Sequence, residues 1–352
     1  MIVINTESAH QALPMGIHLL NRDGIPVITR NGPVMAAPCP VTTVYNNPLD
    51  KCVMWPERDV NIAFLIYESL WMLGGRNDVE PLQRYVHDFD RYSDDKKTLH
   101  GAYGYRWRHW FKIDQLELII EQLQKDPTDR RNVLQMWDAS QDLGHQGLDV
   151  PCNDIATFQI DSKGKLNMVV FCRSNDIIWG TYFANAFHFG ILLEYMATKI
   201  GCQMGTYSQV SVNYHAYLTT LQPLLHLGEM CPFDEQEYTL KVETQLKEEY
   251  SESLRGRQLR MDYVLLDEHI DEILLQASTG FALPRLFTND NPWVEAIYAV
   301  LKAHHVWRTF PPSTKYEHAF NILSTADGGV DWIILMKRWL RKRQHLYLAA
   351  SN

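Results

Sequence analysis

The chain has 352 residues, 46% hydrophobic and 21% charged, with a formal net charge of -9. That composition is globular and long enough to bury a large core, and the acidic balance argues against a protein that coats nucleic acid through a broadly basic surface. No run of about eighteen uncharged apolar residues offers a membrane span, and the first residues lack the basic start and apolar stretch of a signal peptide. The six cysteines include no CxxC pair, so reduced thiols in a cytoplasm are expected and a metal site is not.

Residues 26–46 read as extended segments broken at Asn31-Gly32-Pro33. Residues 61–73 are apolar at helical spacing and stop at Gly74-Gly75, a natural helix end. A second helix is expected over 113–125, closed by Asp126-Pro127. Residues 155–160 and 166–172 read as paired strands across Asp161-Ser162-Lys163-Gly164. A long apolar helix over 184–200 ends at Gly201, and 209–217 reads as a strand. After about Leu221 charge and helical pattern increase, with helices expected over 267–277, 292–306 and 331–348. This divides the chain into a core, 1–230, and a mostly helical C-terminal region, 231–352, packed on it. The last helix carries Lys337, Arg338, Arg341, Lys342 and Arg343, either a solvated basic face or a surface for a partner.

The chemistry concentrates in Pro151-Cys152-Asn153, in Cys172-Arg173-Ser174-Asn175-Asp176 running on to Gly180, and in His215-Ala216-Tyr217. A lone cysteine is ordinarily a small core residue; next to an arginine it becomes a candidate nucleophile, because the positive charge favours the thiolate. The planar fork of an arginine also matches phosphate oxygens. Strand alternation puts His215 and Tyr217 on one face. Glu68 lies within Phe64-Leu65-Ile66-Tyr67-Glu68-Ser69-Leu70-Trp71, where burial would suit a carboxyl to proton transfer.

With Tyr103-Gly104-Tyr105-Arg106-Trp107-Arg108 and Asp129-Arg130-Arg131, these segments resemble the thymidylate synthase family in order and spacing over roughly residues 20–220. The resemblance implies an α/β (α+β) fold with a large mixed twisted sheet and flanking helices, here with a helical C-terminal extension. It implies a pyrimidine nucleoside monophosphate as substrate and 5,10-methylenetetrahydrofolate as one-carbon donor. Cys152 would add to carbon 6 of the ring, which makes carbon 5 nucleophilic. Arg173 and Ser174 would hold phosphate, as would Arg30, and Glu68 and Tyr103 would manage water and the carbon 5 proton. His215 and Tyr217 would bind the sugar hydroxyl, and Asp176, with Gly180 and Phe89 nearby, would face the folate. Arg130 and Arg131 would reach the neighbouring subunit's phosphate, making the enzyme an obligate homodimer.

Three departures bear on the reaction. Counting from Asp176 through Gly180, the family's base-reading asparagine falls at Ala184, so Asn185, His188 or a water must substitute, or the alignment slips by one. Uridylate or cytidylate, deoxy or ribo, stays open, with the lost asparagine leaning toward cytosine. Phe89 and Tyr92 stand where a tryptophan usually shields the exocyclic methylene intermediate, and Asn153 replaces the histidine that often follows the nucleophile. The short folate-closing tail is replaced by about a hundred residues. Together they suggest a 5-hydroxymethylase of a bacterial or phage-infected cytoplasm, in which water rather than hydride captures the methylene. A thymidylate synthase proper and an idle nucleotide- or RNA-binding relative are the alternatives.

Overall fold

The computed structural model describes residues 1–229, 266–284, 292–326 and 331–351. One eight-stranded mixed sheet organises the N-terminal two thirds. Its strands are β1 (Ile2–Thr6), β2 (Ile25–Thr29), β3 (Gly32–Ala36), β4 (Val41–Tyr45), β5 (Val133–Gln135), β6 (Asn153–Ile160), β7 (Lys165–Asp176) and β8 (Gln203–Tyr217). The main path runs β1-β4-β8-β7-β6-β5, while β3 joins the far end of β8 and carries β2 on its outer edge. The strand β8 begins earlier than the alternation over 209–217 suggested, because it runs parallel to β7 from Lys165↔Gln203 to Asp176↔His215.

The hairpin between β6 and β7 follows the expected turn, where Asp161 Oδ1 accepts from the backbone N–H of Lys163 and Lys165. Along β7, Leu166, Met168, Val170 and Cys172 point into the core, whereas Phe171 on the other face remains 38% exposed. That alternation is the period-two signature of a sheet with one packed face.

The helices are α1 (Ala9–Asp23), α2 (Ile62–Leu73), α3 (Gln115–Lys125), α4 (Ala186–Ile200), α5 (Asp267–Ser278), α6 (Pro292–Thr309), α7 (Lys315–Ser324) and α8 (Asp331–Ser351). Helix α2 starts where Asn61 caps the Phe64 N–H at 3.2 Å. Its only charged residue is Glu68, and it is apolar on all sides because it is covered on all sides. The sheet-side core and α4 pack on one flank, and α5, α6 and α8 on the other. A single cluster of buried side chains runs from Leu13 and Leu70 to Trp332 and Leu340.

The last helix is not simply a solvated basic face. Arg338 donates to the Met54 carbonyl, and Arg343 and Lys342 reach Asp59 at 3.1 and 3.2 Å. At the other end of the extension, Asp267 at the start of α5 accepts from Tyr195 at 2.7 Å and pairs with Lys199 at 2.7 Å. Charged residues of the C-terminal region thus fasten it to the N-terminal core. Among the described residues no helix is long and apolar enough to cross a membrane.

Candidate active site

Cys152 lies immediately before β6, and its carbonyl accepts from the Arg173 N–H of β7 at 2.9 Å. The strand pairing therefore sets Cys152 and Arg173 side by side. The Arg173 side chain turns back over the loop, donating from Nε to the Pro151 carbonyl at 2.7 Å and from Nη2 to the Val150 carbonyl at 3.1 Å. Nη2 also lies 3.8 Å from Cys152 Sγ. The guanidinium pulls the thiol pKa down as expected, but burial and the charges of Asp149 and Asp154 act the other way and win, so the net direction is up. The arginine therefore does not by itself make the thiolate the resting form.

Tyr103 stands over the same residues. Its hydroxyl accepts from the backbone N–H of both Cys152 and Asn153, each at 3.1 Å. The loop behind it is locked by Arg106, which is fully buried and forked onto Asp142 at 2.6 and 2.9 Å. Gly104 allows the loop to sit on the end of α2, because a Cβ there would collide with the Met72 carbonyl. Burial pushes the Tyr103 phenol far up, so it is a neutral hydroxyl whose oxygen position is fixed.

The residue at the family's base-reading count, Ala184, packs its side chain against the core. Asn185 takes the polar place. Residues Ile177–Asn185 form a π-helical segment, whose turn is one residue wider than an α-helical one, and it runs directly into α4. Asn185 thereby joins a chain of amides: its Nδ2 donates to Asn175 Oδ1 at 3.0 Å, and its Oδ1 accepts from Asn153 Nδ2 at 3.4 Å. Asn175 in turn donates to Ser211 Oγ at 3.0 Å, and Gln209 donates to Asn153 at 3.3 Å. Gly180 is packed so closely that a Cβ would lie 2.5 Å from Asn175 Oδ1.

Asp176 begins the π-helical segment and accepts from the Ile178 and Trp179 N–H groups at 2.7 and 3.4 Å through Oδ1. Its Oδ2 is buried without a hydrogen-bond partner. Burial raises its pKa. The strand register places His215 beside Asp176, and the His215 ring meets Tyr217 edge-on at 5.6 Å. Ser174 is half-buried on β7, opposite Asn213.

Glu68 is 16% exposed and faces His188 Nε2 at 3.3 Å. Burial, reinforced by Asp149, raises the Glu68 carboxyl to about 8. Phe89 meets Phe64 at a tilt, with ring centroids 5.4 Å apart, and Phe64 lies one helical turn before Glu68 on the same side of α2. The remaining residues stand apart from this cluster in the single chain. Arg30 is exposed in the turn between β2 and β3, Arg130 is exposed, and Arg131 is 80% exposed and held by Asp129 at 2.6 Å.

Two further residues next to the cluster were not read from the sequence as part of it. Asp149 accepts from the Gly101 N–H at 2.7 Å and acts electrostatically on both Glu68 and Cys152. Arg58 is buried, donates to the Ile178 carbonyl at 2.7 Å and lies 5.0 Å from the rings of Trp179 and Phe183. Its place beside the Asp176 segment was signalled only by its position ahead of α2.

Comparison with known proteins follows the same lines. The chain matches the family described as "Thymidylate synthase" over residues 30–299. It is 39% identical over 350 residues, 99% of this chain and 96% of the other, to the "Deoxyuridylate hydroxymethyltransferase" of Pseudomonas phage M6. It is 35% identical over 190 residues, about half of each chain, to the "Deoxyuridylate hydroxymethyltransferase" of Bacillus phage SP01. Over 166 residues it is 29% identical to the thymidylate synthase of Vesicomyosocius okutanii, covering 46% of this chain and 61% of that one.

Proposed function

The chain belongs to the thymidylate synthase family of one-carbon transferases, and from that premise we propose that it is a deoxyuridylate 5-hydroxymethylase acting as a homodimer in a bacterial or phage-infected cytoplasm. The observation that carries this reading is the similarity to the Pseudomonas phage M6 enzyme along 99% of the chain, C-terminal helices included. The similarity to the Vesicomyosocius okutanii thymidylate synthase covers 46% of it.

The site supports uracil as the base. The Asn185 amide spends one hydrogen on Asn175 and one lone pair on Asn153. One N–H and one oxygen lone pair remain, the set that answers uracil O4 and N3–H together. The return of an asparagine through the π-helical turn removes the ground for preferring cytosine.

Enzymes of this family take their carbon from methylenetetrahydrofolate. The buried, unpartnered Oδ2 of Asp176 fits a folate ring, which would offer it N–H donors; Gly180 and Phe89 would border the same space. Arg173 and Ser174, joined by Arg130 and Arg131 of the neighbouring copy and by Arg30, would hold the phosphate, and His215 and Tyr217 the sugar hydroxyl.

In the reaction, Cys152 Sγ bonds to carbon 6 and carbon 5 takes up the one-carbon unit. Tyr103, its oxygen pinned by two backbone N–H groups, orients the acceptor of the carbon 5 proton. Loss of that proton and expulsion of the folate nitrogen leave an exocyclic methylene conjugated with the ring carbonyl. Water adds to it, and expulsion of the Cys152 thiolate restores the ring.

The test is incubation of the protein with methylenetetrahydrofolate and, separately, dUMP, dCMP, UMP and CMP, with products read by mass spectrometry. A hydroxymethyl product from dUMP alone is expected. A methyl product would make the protein a thymidylate synthase, and a hydroxymethyl product from a cytosine nucleotide would overturn the reading of Asn185.

A further inference from the structure

Away from the Cys152 cluster, a cleft of about 310 Å³ opens where the 3-10 turn Leu82–Arg84 meets α5 and α6. Its walls include Arg84, Tyr85, Phe281, His304, His305 and Arg308, and no carboxylate lines it among the described residues. In a chain of net charge -9 this is a local reversal of sign. The volume lies at the lower end of small-molecule pockets, about 300–1,000 Å³.

Two side chains of the cleft hold unspent hydrogen-bonding capacity. Arg308 is anchored through Nη1, which donates to the Gln83 carbonyl at 2.8 Å. Its Nε–H and Nη2–H have no hydrogen-bond partner among the described residues. Those two groups form one edge of the guanidinium, the parallel pair that phosphate oxygens accept from in a bidentate contact. His304 is 3% exposed. Its ring stacks on Tyr85 at 4.8 Å and meets Trp307 and Trp339 at 5.5 and 5.6 Å, but makes no hydrogen bond among the described residues. A buried donor left unpaired costs free energy, so this ring favours an acceptor in the cleft.

The electrostatics point the same way. Arg84 is already spent, on Glu80 at 3.0 Å and on the Ala277 and Ser278 carbonyls at 2.8 and 3.1 Å, and forms a fixed wall. Burial drives the His304 imidazole down to about 3, and Arg308, Arg343 and His305 push in the same direction. Burial, Arg84 and Arg308 lower His305 as well. Both rings are therefore neutral near pH 7, and each has one N–H to donate. The arginines leave the cleft with a positive potential that an anion would offset.

We propose that this cleft is a second anion site that takes a phosphate group, held by the Nε–Nη2 edge of Arg308 and by ring N–H groups of His304 and His305. The recognised chemistry is a phosphate or a chain of phosphates, free or carried by a nucleotide. The inference goes beyond the catalytic reading and uses none of its residues. The site also has a route to the catalytic centre. Tyr85, which stacks on His304, stacks on Tyr67 as well at 4.6 Å, and Tyr67 precedes Glu68 on α2. A phosphate bound to His304 thus rests on the ring stack beneath that helix.

The test is nitrogen NMR of the full chain labelled at histidine, titrated at fixed ionic strength with inorganic phosphate, tripolyphosphate and dTTP. The resonances of His304 and His305 are assigned with His304→Phe and His305→Phe. Saturable movement of both resonances in the wild type with tripolyphosphate is expected. Ligand that moves other histidines and leaves these two still would overturn the proposal without recourse to any variant.

Two variants then test the named contacts, each first checked for the wild-type fold by circular dichroism. Arg308→Gln keeps a donor for the Gln83 carbonyl but loses the charge and the fork, and its affinity is expected to fall about tenfold or more. His304→Phe keeps a ring against Tyr85 but loses the N–H, and its affinity, read at His305, is expected to fall about fivefold. Wild-type affinity in a folded Arg308→Gln would overturn the site. Binding of dTTP at least about tenfold tighter than tripolyphosphate would support the site and name a nucleotide as its occupant. Equal binding of the two would support it and assign recognition to the phosphate chain alone.

Discussion

Asn185 donates to Asn175 across 3.0 Å, and the π-helical segment Ile177–Asn185 lies between the two amides. On the proposed reading, base selection belongs to residue 185 and not to residue 184. Asn185→Asp is expected to lower kcat/KM for dUMP by about a hundredfold, the order expected when a site built to hydrogen-bond its substrate loses the match, and to raise that for dCMP. Ala184→Ser is expected to leave dUMP kinetics within about twofold. Steady-state kinetics on the two nucleotides decides between the positions.

Glu68 should make the fold sensitive to alkali. Its carboxyl ordinarily titrates near 4.5 and here near 8. An unfolded chain therefore releases this proton first, and stability falls as pH rises from about 4.5 to about 8. His188 has the opposite sense: its ordinary value of 6.5 falls to about 3, so its contribution is lost as pH drops through that window. Glu68→Gln should accordingly be more stable than wild type at pH 8, by on the order of 1–3 kcal/mol, with the advantage vanishing toward pH 4.5. Urea unfolding at a series of pH values checks this.

Arg130 and Arg131 are exposed and outside the Cys152 cluster in the single chain, so the dimeric reading predicts complementation. Cys152→Ser should abolish turnover, by about a thousandfold or more, because the covalent route is lost. The Arg130→Ala, Arg131→Ala double variant should lose nucleotide affinity. Mixing the two inactive proteins under exchange should restore up to about a quarter of wild-type activity, since one site per mixed dimer then has both a thiol and a full set of arginines.

The C-terminal helix is fastened to the core by a part-exposed pair, Arg343 with Asp59 at 3.1 Å. Arg343 also lies 3.5 Å above the Trp339 ring. Arg343→Ala should cost about 1 kcal/mol, and a double-mutant cycle with Asp59→Asn should return a coupling of about 0.2–1 kcal/mol, in the range for partly solvated ion pairs. Thermal unfolding of the four proteins supplies the measurement.

The sequence made the Cys152–Arg173 relationship legible because both residues lie in short motifs that two neighbouring strands align. Helix α2 was equally plain, with a capping asparagine and a paired-glycine end. The first strand and α1 escaped notice, since Pro14 interrupts the helical pattern from inside the helix, and α7 was also missed. The π-helical turn could not be read because an apolar run such as Ile177 to Phe183 carries no punctuation for one extra residue. The pairing of Glu68 with His188 joins distant helices, and no spacing rule connects them. The docking of Arg338 and Arg343 likewise depends on which loop the last helix meets.

The most direct test of the central claim is a single turnover of dUMP with methylenetetrahydrofolate in heavy-oxygen water. The account predicts a 5-hydroxymethyl product whose new oxygen carries the solvent label, with tetrahydrofolate as the spent donor. A methyl product accompanied by dihydrofolate would contradict it.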